Sequence, residues 1–253
     1  MFAVPAGAGG SQASVLVNGS PRPDVPVRSG ERLRLRLINA ITPRALSLKF
    51  EGHAPWVVAI DGQPTEPFLA HEGRVGLGPG NRVDLLIDAT REGGTVTPVT
   101  EGVRDEQPIA RLVYQHGSAA RAARQSTPLP LPPNALPARI DLKNSLKAEL
   151  KLGSVKTLDL AGTPLFTVRR GRAVTLGLHN SSRHLQVVHL HGHHVRLLDR
   201  LDDGWKPYWM DTLLVGDEIE RIAFVADNPG KWLIEGRALE RSDMGTAVWF
   251  VVE

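Results

Sequence analysis

The stretch Arg32-Leu33-Arg34-Leu35-Arg36-Leu37 carries the pattern that decides the fold. Leucine and arginine alternate with a period of two, so the leucines face one side of an extended strand and the arginines face the other. Similar short runs follow at residues 45–50, 56–60, 82–87, 95–99 and 109–115, separated by turn signals such as Asp61-Gly62. Short strands at this spacing predict an all-β protein built as a Greek-key sandwich.

The second half of the chain repeats the first. Residues 27–39 align with residues 168–180, and Val, Arg, Gly, Leu, Leu and Asn recur at matching places. Residues 57–62 are likewise aligned with residues 187–192. Two tandem Greek-key sandwiches explain such a repeat better than chance does.

The repeat and the composition together predict the domain organisation. We predict a flexible Gly/Ala-rich tail over residues 1–12, a first sandwich over 13–117, a proline-rich connector over 118–140 and a second sandwich over 141–253. A chain of 253 residues is long enough for two such cores.

Composition excludes several classes of function. The net charge of +3 is small and the arginines have no aromatic residues between them, so nucleic acid is not an expected partner. No apolar run is long enough to span a membrane, and the first ten residues do not resemble an export signal, so the compartment stays open. The chain has no cysteine, which excludes disulfides, thiolate zinc sites and a blue-copper centre.

Two histidines form the candidate metal site. His189 and His191 are two residues apart on a predicted strand, so both rings project from one face and can converge on one ion. His193 joins them if the strand continues. The aligned positions of the first copy hold Ala59 and Asp61, so sandwich packing does not demand histidine there.

The histidine pair has two interpretations. Two motif-matched ligands are fewer than the three or four that protein metal sites use, so we expect an inherited pair without a tightly bound metal. The alternative is one copper or zinc ion per chain, held by His189 and His191 with His193 as a candidate third ligand. No catalytic residue is predicted.

Several motifs of the second copy resemble the final domain of multicopper oxidases, and the first copy resembles their middle domain. The motifs of the second copy are Val187–His194, Leu197-Leu198-Asp199, Leu201–Trp205, Ala226–Trp232 and Gly245–Phe250, and the motif of the first copy is Ala59–Pro64. The resemblance covers nearly the whole chain from Ser14 and implies two cupredoxin-like domains. The family's first domain, which shares the copper cluster, is expected to be missing.

The resemblance also implies which residues stand at copper-ligand positions. The family's final domain carries the pattern HxxHxH followed by HCHxxxHxxxxM, for a type 1 copper and part of a trinuclear cluster. The type 1 positions here read Gln186, Gly236, Arg241 and Thr246, and the trinuclear positions read His189, His191, Glu235 and Arg237. Six of these eight positions have changed, which predicts that no type 1 copper is bound.

The residues that replace the copper ligands predict a network of ion pairs in place of a metal. Arginine cannot coordinate a metal and repels cations, so Glu235, Arg237, Glu240, Arg241 and Asp243 are expected to form a charge-compensated network. We therefore expect a copper-depleted, laccase-like protein, either a degenerate paralogue or an engineered one, that acts as a non-catalytic scaffold or interaction module. The alternative is a mononuclear copper or zinc protein with at most weak oxidoreductase activity.

The missing domain has a consequence for association. The face of the second copy that packs against that domain in the family is expected to be partly apolar, and such patches drive association. We expect a homo-oligomer, of which a closed trimer is the form suggested by two-domain relatives, or a protein partner at that face.

Overall fold

The computed structural model describes residues 15–42, 44–117, 119–120, 126–153, 162–182, 184–198, 208–216, 219–239, 241 and 244–253. Within these residues the fold is all-β, as the sequence predicts, and the helical content is one 3₁₀ turn at His71–Gly73. No helix in the described ranges is long and apolar enough to cross a membrane. The chain divides into two compact units, Met1–Pro132 and Pro133–Glu253. The divide falls inside the predicted connector; the exact domain limits stay predictions.

The first unit contains eleven described strands. They are β1 (Leu16–Val17), β2 (Ser20–Pro21), β3 (Asp24–Val27), β4 (Arg32–Ile38), β5 (Leu46–Phe50), β6 (Trp56–Ile60), β7 (Gln63–Leu69), β8 (Arg74–Leu77), β9 (Arg82–Asp88), β10 (Val96–Glu101) and β11 (Gln107–Tyr114). One sheet has the order β3-β11-β10-β5-β8, the other has the order β4-β9-β6-β7, and β1 pairs with β2.

The second unit contains nine described strands. They are β12 (Leu146–Leu152), β13 (Thr167–Val168), β14 (Ala173–Asn180), β15 (Gln186–Leu190), β16 (Arg196–Leu198), β17 (Thr212–Val215), β18 (Ile219–Val225), β19 (Gly230–Ala238) and β20 (Gly245–Val252). The sheets have the orders β13-β20-β19-β15-β17 and β12-β14-β18-β16. Phe224 and Phe250 lie fully buried in the core of this unit.

The predicted alternation in β4 is present. Leu37 is buried and Leu33 and Leu35 pack against the core, while the arginines turn outward. Arg32 forms a two-pronged ion pair with Asp88 of β9, with distances of 2.6 and 2.7 Å. The leucines therefore bury apolar surface and the arginines satisfy the acidic side chains of the neighbouring strand.

The repeat over residues 27–39 and 168–180 is confirmed by its last residue, an asparagine that bonds to loop carbonyls in both units. The Asn39 amide donates to the carbonyls of Arg44 and Leu77 at 2.9 and 3.0 Å. The Asn180 amide donates to the carbonyls of His184, Val215 and Gly216 at 2.9, 3.2 and 2.8 Å. Both side chains are buried, so each asparagine supplies the donors that the carbonyls of its loop would otherwise lack.

The alignment of residues 57–62 with residues 187–192 is wrong. Leu46 pairs with Leu77 in the first unit just as Gln186 pairs with Val215 in the second, and the orders of the two five-stranded sheets agree strand by strand. The strand β15 therefore corresponds to β5 rather than to β6. Both candidate stretches consist of a short apolar run before a glycine turn, and hydrophobic periodicity cannot distinguish them.

The corrected register changes which residues of the first unit are compared with the two histidines. His189 and His191 correspond to Lys49 and Glu51, whose side chains form an ion pair at 2.6 Å. Sandwich packing still does not require histidine at these positions, because the first sandwich folds with lysine and glutamate there. Ala59 and Asp61 are not the counterparts of the two histidines.

The register also brings two glycine corners into correspondence. Gly52 and Gly192 both have left-handed backbone conformations, with φ of +70° and +72°. Each is followed by a histidine whose Nδ1 lies near the carbonyl oxygen two residues back, at 2.8 Å for His53 and 3.4 Å for His193. Sandwich architecture therefore accounts for the place of His193, since both copies keep it.

Substitution of the two corner glycines by alanine should have unequal effects. Both variants place a Cβ in the left-handed region, at a cost of about 1–2 kcal/mol. In Gly192→Ala the new Cβ would overlap the ring of Trp232, which is fixed by a 2.8 Å hydrogen bond to the carbonyl of Asn228. In Gly52→Ala it would overlap only the guanidinium of the exposed Arg91, which can move.

We expect Gly192→Ala to lower the free energy of unfolding by about 1–3 kcal/mol more than Gly52→Ala does, because overpacking against a fixed ring adds to the backbone cost. Urea unfolding of both variants measures the difference. Equal losses would contradict the assigned role of Trp232.

Candidate functional site

The candidate site lies on β15, between β17 and β19. Side chains of this strand alternate between the two faces of the sheet: Gln186, Val188 and Leu190 are fully buried, whereas the His189 side chain is 36% exposed. The sheet therefore separates seven of the eight ligand positions implied by the resemblance into an inner set and an outer set, and the eighth, Arg241, lies beyond the end of β19.

The outer set brings His189 and His191 together. Their ring centroids are 4.4 Å apart and the planes meet edge to face at 72°. The Nδ1 of His189 lies 2.9 Å from the hydroxyl oxygen of Thr212 and 3.1 Å from the carbonyl oxygen of Asp211. The Thr212 hydroxyl donates in turn to the Asp211 carboxylate at 2.8 Å. These contacts orient the His189 ring with Nδ1 turned towards β17.

His191 is engaged by an acidic residue of β19. Its Nε2 lies 3.0 Å from the carboxylate of Glu235, which also lies 3.5 Å from the guanidinium of Arg237. Partial burial acts to raise the pKa of Glu235, but the His191 hydrogen bond and the Arg237 charge outweigh it, so this pKa is lowered. Glu235 is thus an ionised carboxylate held between two positive or polar partners.

This arrangement supplies part of the predicted charge network. Glu235 and Arg237 are within ion-pair distance, as that prediction requires. Glu240 and Asp243 lie outside the described residues, as does Trp205, and the part played by Arg241 stays a prediction. Among the residues that the structure describes, no group of three or more His, Cys, Asp or Glu side chains is arranged to hold a metal ion.

His193 does not lie on the face of the other two histidines. Strand β15 ends at Leu190, and a turn at His191-Gly192 redirects the chain, so the condition on which His193 was included is not met. Its ring packs among Phe224, Trp232 and Phe250 at centroid distances of 5.2, 5.6 and 5.4 Å. Burial lowers the pKa of this histidine.

The inner set occupies a closed part of the core. Gln186 is fully buried and donates from Nε2 to the hydroxyl of Ser182 at 2.9 Å. The Thr246 hydroxyl accepts from the backbone N–H of Gly153 at 3.1 Å. A Cβ placed on Gly236 would lie 3.2 Å from Cδ2 of Leu152, a side chain that is 1% exposed.

The inner residues do not fit a copper ion. Gly236 offers no donor atom, the Thr246 hydroxyl is used by the backbone, and Leu152 brings a methyl group to the place where a side chain of residue 236 would begin. A copper–thiolate centre needs a cysteine sulfur and two imidazoles in this region. The geometry instead favours an ordinary packed core.

Sequence reasoning missed several residues that define the site. Asp211 and Thr212 reach His189 from β17, and Leu152 reaches Gly236 from β12. No local motif marks these residues, because strand pairing alone brings them to the site. The register of β17 against β15 would have been the signal, and periodicity does not give it.

Restoring the missing thiol should not restore a copper centre. In Gly236→Cys the new Cβ lies 3.2 Å from Leu152 Cδ2 and the sulfur is added to this packed region, so we expect a loss of about 1–3 kcal/mol in the free energy of unfolding. We also expect no intense copper–thiolate absorption after copper loading. The control is Gly76→Cys in β8, where an added Cβ meets no atom within 4 Å. A stable, coloured Gly236→Cys protein would refute the closed-core interpretation.

Comparison with known proteins places these features in a family. Two family models described as multicopper oxidase match residues 3–112 and 131–253. Multicopper oxidase MmcO of Mycobacterium tuberculosis is 26% identical over 82% of the chain and 44% of its own length. Cell division protein FtsP of Sodalis glossinidius is 30% identical over 98% of the chain and 56% of its own length.

A solved structure agrees with the fold. The multicopper oxidase from Pseudomonas thermotolerans superposes with a TM-score of 0.79 and 27% identity, over 97% of the chain and 61% of the matched structure. The chain thus spans about half the length of the curated relatives it matches, with shares of 44% and 56%. The two matching domain models and the agreement in fold together show that the chain belongs to the multicopper oxidase family.

Proposed function

We propose that this chain is a copper-depleted member of its family that acts as a non-catalytic scaffold or interaction module. The observation that carries the proposal is the bare backbone at Gly236, which offers no donor atom where a copper ligand would stand and against which Leu152 packs, 3.2 Å from the place of an added Cβ. Without that ligand the chain lacks the group that would take electrons from a substrate.

The outer positions support the same proposal. Arg237 stands where the family has a ligand, and its positive charge is compensated by Glu235 rather than by a metal-bound anion. Glu235 is shared with His191, so the polar groups at the site already satisfy one another. A dication entering here would have to break these contacts and approach a guanidinium.

The relatives make an interaction role a reasonable expectation. The Sodalis relative is named as a cell division protein rather than as an oxidase. This name does not define a partner for the present chain. It supports the idea that a chain of this architecture serves in an assembly rather than in turnover.

A mononuclear copper or zinc site is the second candidate. The observation that favours it is the edge-to-face contact of His189 and His191, whose ring centroids are only 4.4 Å apart. A small rotation could bring one nitrogen of each ring to a common ion, with water completing the coordination. Any oxidoreductase activity of such a site would be weak, since no second copper lies within the proposed set.

Metal retention separates the two candidates. The protein and a His189→Ala/His191→Ala variant are loaded with copper or zinc, desalted and assayed for bound metal by mass spectrometry and for dioxygen consumption with an organic reductant. The scaffold proposal expects far less than one ion per chain in both proteins and no consumption above that of buffer. Near one equivalent, lost in the variant, would overturn it in favour of the metal site.

The outer face of the second sandwich is the surface that we propose for association. Leu185 and Val187 follow one another on this face with a spacing of two, and Leu214 of β17 stands directly opposite Val187. Both leucines are 39% exposed, whereas Val187 is only 8% exposed and supports them from beneath the surface. Arg237 pairs with Val187 on the other side. An apolar centre beside charged residues is typical of an interface, and we propose that a second copy covers it in a homo-oligomer, with a closed trimer as the working arrangement.

Substitution at the centre of this face should weaken self-association. We expect Leu214→Arg to weaken it by about 2 kcal/mol or more, because it places a charge in the apolar centre. Sedimentation velocity over a range of concentrations measures the effect. The control is Leu129→Arg, since Leu129 is 85% exposed in the other unit. A wild-type protein that is monomeric throughout would contradict the proposal.

A further inference from the structure

The second unit contains a cavity that lies outside the site described above. Its volume is about 350 Å³, near the lower end of the range of roughly 300–1,000 Å³ that is usual for small-molecule sites. Leu136, Pro137, Trp209 and Pro229 provide apolar walls. The polar lining includes Arg170, His193, Asp227 and Asn228.

One buried nitrogen at this cavity has no partner. The side chain of His193 is fully buried, and its Nε2 has no hydrogen-bond partner among the described residues. The nearest charged atom is a carboxylate oxygen of Asp227, at 4.0 Å, which is too far for a direct hydrogen bond. A buried polar atom left in this way costs free energy unless a bound molecule satisfies it.

The first unit shows what chemistry satisfies the same atom. His53 occupies the corresponding corner, and its Nε2 lies 2.6 Å from the phenolic oxygen of Tyr114. Tyr114 pairs with Val27 just as Val252 pairs with Val168, so the second unit has valine where the first has tyrosine. The tyrosine hydroxyl that bonds to the histidine Nε2 in the first unit is therefore absent from the second. His193, whose Nε2 lacks this partner, lines the cavity instead.

The distance between His193 Nε2 and the Asp227 carboxylate indicates which chemical group can bridge them. A hydroxyl oxygen makes hydrogen bonds of roughly 2.8 Å, so one oxygen placed to the side can reach both His193 and Asp227 across their 4.0 Å separation. The Asp227 side chain is 57% exposed, so it can turn to admit that oxygen. A hydroxyl can both donate and accept, which suits either tautomer of the ring.

The remaining lining indicates the rest of the ligand. The lining also includes His194, but its fixed charges are one guanidinium, from Arg170, and one carboxylate, from Asp227, which balance and favour a neutral ligand over an ion. The Arg170 Nε donates to the carbonyl of Asp227 at 3.0 Å, and the Asn228 amide donates to the carbonyl of Gly192 at 3.2 Å, so these two side chains are held in place while the Asp227 carboxylate stays free to turn. Apolar residues make up much of the remaining lining.

We propose that this cavity binds a small neutral polyol of monosaccharide size, with one hydroxyl bridging His193 Nε2 and the Asp227 carboxylate. The apolar walls contact the carbon face of the ring, and the bridging hydroxyl takes the place that the Tyr114 hydroxyl has in the first unit. This site is independent of copper and of the outer face of the sheet.

The test uses glucose as the probe and the whole chain labelled with ¹⁵N in its histidine rings. Titration should produce a saturable shift of the His193 Nε2 resonance. Permethylated glucose, which keeps the ring but has no hydroxyl donor, should not produce it. In His193→Phe, whose glucose affinity is measured by calorimetry, binding should weaken about five- to tenfold, as expected for one lost hydrogen bond.

The matched control is His53→Phe, which alters the equivalent corner in the first unit and should leave glucose binding unchanged while lowering the melting temperature. Three results would overturn the proposal. They are no saturable shift with glucose, which would mean that water alone occupies the cavity, equal shifts with permethylated glucose, and full binding by a folded His193→Phe protein.

Discussion

The alternation of side chains along β19 is the constraint on which the site depends. Gly236 points into the core, and its neighbours Glu235 and Arg237 point away from it, because successive residues of a strand face opposite sides. One short segment therefore decides two separate environments. A change at residue 236 acts on core packing, and changes at its neighbours act on an outer polar cluster.

These two environments have lost their copper ligands in different physical ways. On the inner side an apolar contact replaces coordination, since Gly236 has no side chain and Leu152 packs against its backbone. On the outer side charge replaces coordination, since Arg237 supplies a fixed positive charge to Glu235 and His191 remains hydrogen-bonded to that carboxylate. Both replacements leave the sheet intact, which is why the family's framework persists without its ligands.

Much of the fold followed from local pattern alone. The runs at residues 56–60 and 82–87 correspond to β6 and β9 within one residue, because period-two alternation is a property of each strand by itself. The pairing of the two copies did not follow in full. Residues 57–62 resemble 187–192 in pattern, yet the structure pairs β15 with β17 and β19 as it pairs β5 with β8 and β10. Register is set by cross-strand contacts that a single strand does not encode.

The same limit explains the candidate site. His189 and His191 were identified because their spacing is local. The partners of His189 come from β17, and His193 turned inward at a corner that only the left-handed Gly192 reveals. The role of that corner became clear by comparison of His193 with His53, which depends on the corrected register.

Each unit also closes in a way that bears on how it is made. The short strand β13 pairs in parallel with β20, and β3 pairs in parallel with β11. In each unit an early strand therefore cannot form its sheet hydrogen bonds until the last strand is available. Such distant pairings slow folding, because loop closure must precede any stabilising contact. During synthesis each unit therefore holds an unpaired strand edge until its last strand emerges, β11 in the first unit and β20 in the second. The partly built sheet of each unit is thus the form most open to mispairing while the chain is being translated.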